Sequence, residues 1–450
     1  MKFISPAQKN VLAILGKPHT SDEPYRLLKY CAQVPVEEGT LLFNLLTREL
    51  LLLDEAEASD PLKLDYLKEH WFVVPASCND KEKVETVRWI LKNMAPKSKN
   101  IIGYTILPTT DCNARCFYCF EHGRKRISMN EETAVKTAQY IKNHCGNEKI
   151  RITWFGGEPL CNIPAMDTIC QQLRCDGIRY DSRMATNGYL LDDEAVMKAI
   201  ELWNTYNVQI TLDGTEEIYN KTKAYIYREG SPYQVVLDNI QRLLDAKISV
   251  QIRLNLDLYN SADLHCLVDE LGQRFGGQKG IIIYVQHIFD DHYKMSELHS
   301  DDEWAQRYET MYQLEKRIEH WRLAPKVGIK KTMKLVQCIA DSDNAVRITP
   351  SGHISLCDRH AEDSIIGHIE QDGFDEQVVA SWKELADEIP ECGNCFYYPS
   401  CYRLRKCNGY NSCYRQMREQ LWMQTQKEML GEYKGWLSCS QAEEEEFQPC

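Results

Sequence analysis

The chain has 450 residues, 43% hydrophobic and 26% charged, with a formal net charge of −13 at pH 7. That balance suits a globular protein with a sizeable core, and the acidic excess excludes a general nucleic-acid binder, which needs a basic face. No apolar run approaches the ~18 residues of a membrane span, and Gln8, Lys9 and Asn10 break up any secretory signal near Met1, so a cytoplasmic protein with no membrane partner is expected.

Residues 1–95 read as a small α+β or winged-helix-like module. Thr40–Asn44 and Glu49–Leu53 form a hairpin around Leu46-Thr47-Arg48, a helix follows near Leu62–His70, and the segment ends in Trp71-Phe72-Val73-Val74-Pro75. A plain N-terminal cap on the next domain is the simpler reading of the same pattern. From Ile101 to about Phe289, short β-rich runs alternate with amphipathic ones. The strands are Ile101–Leu107, Ile150–Phe155, Tyr180–Thr186, Val208–Leu212, Val250–Leu256 and Ile281–His287. The helices between them are Glu131–His144, Ala165–Leu173, Asp192–Leu202, Gln234–Ala246 and Ala262–Phe275. Such an alternation implies a parallel sheet with right-handed crossovers and helices on its outer face. It falls short of a closed eight-stranded barrel, so a partial (β/α)6 TIM barrel is expected over 96–315, its active site at the C-terminal ends of the strands. Residues 290–335 are helical and charged and lead into a cysteine-rich region, 316–450.

In the cytoplasm, 19 cysteines are expected to be metal ligands or buried thiols and not disulfides. Cys112, Cys116 and Cys119 follow the first strand at once, in a C-x3-C-x2-C spacing. A cubane [4Fe–4S] cluster is fully ligated by four cysteines. Three leave one iron open, as a catalytic zinc keeps one position for water or substrate. An open iron can chelate the amino and carboxylate groups of S-adenosylmethionine (SAM) and pass an electron to its sulfonium. For the triple alone, a zinc knuckle completed by His122 is the alternative. Arg124-Lys125-Arg126 reads as a loop, or as a contact for a peptide or other substrate.

The motifs that follow resemble radical SAM enzymes with a C-terminal cysteine-rich SPASM domain. Tyr118 lies between the second and third cysteines. Trp154-Phe155-Gly156-Gly157-Glu158-Pro159 ends the second strand and matches the family's GGEP motif. Ala185-Thr186-Asn187-Gly188 ends the third strand and Thr211-Leu212-Asp213-Gly214 the fourth, while Arg253, Asn255 and Asn260 surround the fifth. By this resemblance Gly156, Gly157, Glu158 and Pro159 form an edge that binds the methionine amino group, their glycines letting the backbone approach the ligand. Tyr118 would meet the adenine, Thr211 would contact SAM through its hydroxyl, and Asn187, Arg253 and Asn255 would complete the cofactor site. Lys223 falls where relatives carry an Arg to the ligand; it keeps the charge and loses the fork, and Arg228 is the alternative.

The C-terminal cysteines match the SPASM pattern except that five residues instead of three separate Cys401 from Cys407. The resemblance implies two auxiliary [4Fe–4S] clusters. Cys338, Cys357 and Cys407 would hold the first, with a substrate thiolate, Asp358 or Asp341 as the fourth ligand. Cys392, Cys395, Cys401 and Cys413 would hold the second, Cys439 competing with Cys413. Asp358 aligns with the catalytic base of sulfatase-maturating relatives, or is simply a hydrogen-bond acceptor beside the cluster. Cys31, Cys78, Cys145, Cys161, Cys170, Cys175, Cys266 and Cys450 lack ligand spacing.

The implied reaction splits SAM to methionine and a 5′-deoxyadenosyl radical, which takes a hydrogen atom from an unactivated carbon. The auxiliary clusters would receive the second electron. The implied partners are a precursor peptide, whose leader the N-terminal module would bind by strand addition along the Leu41–Leu53 hairpin, and an electron donor such as flavodoxin or ferredoxin. The expected product is a thioether or other side-chain crosslink in a ribosomally made peptide. An anaerobic formylglycine-generating enzyme is the alternative, and a zinc-rich binding protein is the non-enzymatic one.

Overall fold

The computed structural model describes residues 1–17, 23–94, 100–119, 121, 123–226, 230–288, 301–333, 335, 338–358, 364–384, 390–401 and 415–446. The chain divides into two units. One comprises Met1–Lys97, Lys326–Gln337 and Leu385–Cys450, the other Ser98–Pro325 and Cys338–Glu384. The three consecutive domains expected over 1–95, 96–315 and 316–450 are thus divided differently: the cysteine-rich region contributes to both units.

In the first unit, β1 (Lys2–Ser5), α1 (Lys9–Leu15), β2 (Tyr25–Leu27), β3 (Cys31–Val36), β4 (Gly39–Asn44) and β5 (Glu49–Leu53) precede α2 (Glu55–Ser59), α3 (Asp65–Glu69), β6 (Val73–Pro75) and α4 (Asp80–Met94). An antiparallel sheet runs β1-β5-β4-β3. The hairpin forms where the sequence indicates, yet it lies in the middle of the sheet and not at its edge. The cause is burial on both faces: Leu41, Phe43, Leu50 and Leu52 enter one apolar cluster, while Leu42, Leu51 and Leu53 enter another. A continuous apolar run of this kind marks a strand covered on both sides. The sheet edges are therefore β1 and β3.

The first unit is tied to its C-terminal segments. Tyr398 is buried beside Tyr30 and donates to Glu85 at 3.0 Å. Arg48 is buried in the β4–β5 turn, stacks on Phe43 at 4.7 Å and donates from Nε to the Lys330 carbonyl at 2.8 Å. Helix Arg415–Glu446 belongs to the same unit and adds Met429 and Tyr433 to its core.

The second unit is the expected partial barrel. Its elements are β7 (Gly103–Ile106), α5 (Glu131–His144), β8 (Ile150–Trp154), α6 (Ile163–Cys175), β9 (Tyr180–Thr186), α7 (Asp193–Glu201) and β10 (Thr205–Leu212). They continue through α8 (Glu216–Lys223), α9 (Pro232–Asp245), β11 (Ser249–Leu256), α10 (Ser261–Phe275) and β12 (Ile281–His287). Strands β7 to β12 pair parallel in chain order. Burial alternates along them: Ile150, Ile152 and Trp154, or Val208, Ile210 and Leu212, face the core. The helices answer with stripes such as Ala134, Ala138 and Ile141, or Leu264, Leu267, Val268 and Leu271, the spacing of an amphipathic helix. Asn130 and Asp192 cap α5 and α7 through their side chains.

The barrel sheet does not end at its first strand. β13 (Ala345–Ile348) pairs parallel to β7, and β14 (His353–Ser355) and β15 (Ile365–His368) extend it antiparallel, making nine strands. That pairing is why Cys338–Glu384 joins the barrel unit. The lumen-facing alternates are polar, and one row crosses Arg347, Thr105, Thr153 and Arg183 in register. Among the described residues no helix is long and apolar enough to cross a membrane.

Replacing Arg48 with Ala would remove a buried guanidinium, its bond to the Lys330 carbonyl and its stacking on Phe43. R48A is expected to lower stability by about 1–3 kcal/mol, read as an earlier urea midpoint for the first unit; an unchanged midpoint would contradict the packing described.

Candidate active site

Beyond β7 the chain runs irregularly through the cysteine loop, and two neighbouring segments hold it. The end of β8 supplies the first: Gly157 N donates to Thr109 O at 3.1 Å and Glu158 N to Asp111 O at 2.8 Å. Only glycine permits this approach. A Cβ on Gly156, whose φ is +130°, would sit 2.3 Å from Thr109 O, and one on Gly157 would sit 2.2 Å from Asp111 O. The sequence reading has these glycines admit a ligand; what they touch here is the backbone that precedes Cys112. The second segment follows α8: Arg115 N donates to Lys223 O at 2.7 Å and Ile226 N to Asn113 O at 2.9 Å.

Glu158 is fully buried and joins the ends of β8 and β9. Its carboxylate accepts from Thr186 Oγ1 and Asn187 N at 2.7 Å each, and from Leu160 N at 3.2 Å. Burial pushes its carboxyl up to about 7, against those bonds. Pro159 opens the short turn that ends at Asn162, whose side-chain amide donates to Pro108 O and Met129 O. Asn187 reaches the cysteine loop through a 2.6 Å bond from its amide to Asn113 Oδ1, with Cys112 Sγ at 3.9 Å.

A second buried network lies on the β10–β11 side. Tyr118 donates to Asp213 Oδ1 at 2.7 Å, Lys223 Nζ lies 3.1 Å from Asp213 Oδ2, and Lys223 donates to the Tyr118 hydroxyl at 3.1 Å. Asn255 adds a bond to Asp213 Oδ1 at 3.0 Å, and Arg253 in turn donates to Asn255 at 2.9 Å. Asn260 donates to the backbone carbonyls of Asp213 and Asn255. Burial alone would lower the Lys223 ammonium; Asp213, Tyr118, Cys116 and Tyr219 overcome it and hold it well above its ordinary value. Lys223 and Asn255, expected at the cofactor, are thus engaged with Asp213. Asp213 itself went unassigned in the sequence, although an Asp-Gly pair closing a strand was its signal. Thr211 stands in the lumen row with Arg253 and Tyr284.

The three thiols of the loop are half-buried. Burial pushes each of them up, Cys112 to about 12, and a bound metal reverses that because its charge deprotonates a coordinating thiol. Among the described residues no three His, Cys, Asp or Glu side chains gather as a single-ion site. The loop fits the expected group in two respects. Its three thiols are offered by a backbone that glycines clamp from one side, and polar lumen residues face it from the strands.

Cys338 and Cys357 lie in the barrel unit, near enough that the Cys357 charge helps raise the Cys338 thiol, after burial and Asp341. Asp358 has a side chain 43% exposed and stands 3.9 Å from Arg347 Nε. Burial of its carboxyl raises its pKa, and Arg347 and Arg183 oppose that. Cys392, Cys395 and Cys401 lie in the first unit on successive tight turns: Cys395 N donates to Cys392 O, Tyr398 N to Cys395 O and Cys401 N to Tyr398 O. Cys407, Cys413, His122 and Arg228 lie outside the described residues, as does the side chain of Cys439.

Because burial raises Glu158 from 4.5 to about 7, the native state retains a proton that the unfolded chain has released. Its contribution should therefore fall as pH rises from 4.5 to about 7 and level off above, a decline of about 3 kcal/mol. E158Q cannot titrate, so the unfolding free energy of its metal-free form should lack this decline; a parallel decline in wild type and E158Q would contradict it.

A family model, the Radical SAM superfamily, matches residues 106–265. The radical SAM cyclopropyl synthase TigE of Paramaledivibacter caminithermalis is 22% identical over 321 residues, 60% of this chain and 65% of TigE. A GTP 3′,8-cyclase of Rhodopirellula baltica is 40% identical over 92 residues, 19% of this chain and 25% of that enzyme. The chain thus spans under two thirds of either relative. In fold it is similar to anSMEcpe with bound AdoMet and Cp18Cys peptide, with a TM-score of 0.55 at 14% identity over 76% of this chain and 99% of that one. It is also similar to Streptococcus suis SuiB bound to S-adenosylmethionine, with a TM-score of 0.50 at 14% identity over 85% and 94%. With the cysteine loop, the GGEP edge and strands β8 to β11 inside the matched segment, residues 106–265 are a Radical SAM superfamily domain.

Proposed function

We propose that the chain is a radical SAM peptide maturase that installs a thioether or other side-chain crosslink in a ribosomally made precursor peptide. The observation that carries the proposal is the clamped cysteine loop, facing a lumen lined with Thr, Gln, Asn and Arg side chains. Cys112, Cys116 and Cys119 would hold a cluster that, with SAM bound, would supply a 5′-deoxyadenosyl radical. Tyr118, Gly156, Gly157, Glu158, Pro159, Asn187, Thr211, Lys223, Arg253 and Asn255 are the residues we assign to holding or shaping the SAM site. Glu158, Lys223 and Asn255 are also proposed to fix the loop and Asp213 through the bonds described above. Hydrogen abstraction from a substrate carbon leaves an electron and a proton to be removed as the new bond closes. Asp358, half-exposed in the lumen, is proposed to take the proton. Cys338, Cys357 and Cys407, and Cys392, Cys395, Cys401 and Cys413, are proposed to hold auxiliary clusters, which would supply an acceptor for the electron. Flavodoxin or ferredoxin would supply the initiating electron in the cytoplasm.

A peptide substrate is supported by the names of the two fold neighbours: SuiB is known bound to the precursor peptide SuiA, and anSMEcpe with Cp18Cys peptide. For leader binding, the edge strand β3 replaces the hairpin expected from sequence. Leu45 N donates to Tyr30 O, and alternation along the antiparallel ladder then turns the N–H of Gln33 outward. Pro35, also turned outward, has no N–H to offer. Added pairing would thus centre on Gln33.

Co-expression with short cysteine-containing open reading frames from the same gene neighbourhood should give a peptide lighter by a hydrogen pair for each crosslink, read by mass spectrometry. A single oxidised Cys or Ser with no crosslink would favour the formylglycine reading instead. In D358N, product should fall at least tenfold more than 5′-deoxyadenosine does; equal losses would remove the base role. Q33P leaves the β3–β4 ladder intact and should weaken precursor binding about tenfold or more, since one backbone bond left unmade costs ~1–3 kcal/mol; unchanged affinity would reject β3 as the docking edge.

A further inference from the structure

Four buried polar atoms without a hydrogen-bond partner gather beside Cys357: Arg347 Nε and Nη1, Ser355 Oγ and Asp358 Oδ1. Arg347 is 1% exposed and Ser355 0%. Their proximity follows from register. Arg347 pairs directly with Ser355 in the β13–β14 ladder, so both side chains leave the same face of the sheet. Cys357 follows the end of that strand by two residues and lies near enough for its charge to act on the Arg347 guanidinium.

The carboxylates near Arg347 do not satisfy it. Asp358 Oδ1 is 3.9 Å from Nε and Glu121 Oε1 is 4.0 Å from Nη2, both beyond hydrogen-bond length. Each buried donor left unmade costs ~1–3 kcal/mol, and native interiors rarely tolerate several at one place. Two guanidinium nitrogens and a hydroxyl stand there as donors, and the carboxylates of Asp358 and Glu121 lie near Arg347 but outside hydrogen-bond reach of it. What fits is a compact acceptor carrying diffuse negative charge, placed at Cys357 itself.

We propose that Arg347 and Ser355 donate N–H···S and O–H···S hydrogen bonds to the iron–sulfur cluster ligated by Cys338 and Cys357, and that these bonds raise its reduction potential. The inference rests on the proposed auxiliary cluster at those cysteines. Donors aimed at cluster sulfur, and a buried cation beside it, favour the reduced state because that state carries one more negative charge. The site is thereby suited to accept the electron that a closing crosslink releases. A carboxylate of the substrate would satisfy the same donors. We assign them to the cluster because Arg347 and Ser355, although on the lumen-facing side of the sheet, are buried there and stand on the strand pair that leads into Cys357.

The test uses full-length protein carrying C112A/C116A/C119A, which removes the ligands of the SAM-binding cluster and leaves the auxiliary ones. After anaerobic iron and sulfide loading, C357A should lose one cluster's worth of both and the EPR signal that goes with it. In an EPR-monitored redox titration, that same signal should move to a more negative midpoint in R347Q, less in R347K, and by a smaller step in S355A. Should R347Q fail to hold the cluster, the S355A shift decides alone, because that change removes one donor without altering charge. Midpoints unchanged in S355A and in any Arg347 variant that retains the cluster overturn the inference while the cluster stands. Iron and sulfide unchanged in C357A would instead remove the auxiliary cluster, and this inference with it.

Discussion

The cysteine loop has no ladder of its own, so everything at this site depends on how a neighbouring backbone can reach it. That neighbour is the end of β8, and it arrives through Gly156 and Gly157, where any Cβ would strike the carbonyls of Thr109 or Asp111. Glu158 completes the arrangement from within. One buried carboxylate collects donors from β9 and from its own following turn, so the loop, β8 and β9 are fixed relative to one another. A thiol triple on a freely moving loop would have to be ordered anew each time it took up its metal, at a cost of about 1–2 kcal/mol for every residue fixed. Here that ordering is supplied by the barrel.

The Asp213–Lys223–Tyr118 network adds a second anchor from the β10 side. A buried ion pair of this type contributes little net stability, because desolvation offsets its attraction. Its effect is positional. Tyr118 lies between Cys116 and Cys119, so a bond from its hydroxyl to Asp213 sets the stretch between those two thiols against the end of β10. Lys223 also holds Arg115 through its backbone carbonyl. The two anchors grip opposite ends of the triple, one before Cys112 and one between Cys116 and Cys119.

Much of this was legible in the sequence, for physical reasons that differ by element. The barrel strands and helices stand within a few residues of where hydrophobic period placed them, since each buries one face and leaves the other in the lumen or in solvent. The hairpin of the first unit was legible but its place in the sheet was not. Leu50 to Leu53 all pack inward on two different sides, and that double burial, present in the unbroken run of Leu, marks a central strand. Strand β1 escaped notice because its partner Leu50–Leu52 lies some fifty residues on, beyond any local pattern. The division of the cysteine-rich region was also hidden, because the pairing of β13 with β7 spans more than two hundred residues. At the site, the motifs were readable as residues, but which atoms they touch was not. The glycines lie against the backbone of Thr109 and Asp111, and the lysine expected at a ligand's carboxylate is paired with Asp213.

The central claim is that Cys112, Cys116 and Cys119 hold a cluster whose open iron acts on SAM, and one assay bears on it most directly. Iron-loaded protein, reduced with dithionite and supplied with SAM, should form 5′-deoxyadenosine and methionine, and the C112A/C116A/C119A variant should form neither. Absence of 5′-deoxyadenosine from the wild-type reaction, or its formation by the variant at the wild-type rate, would contradict the account.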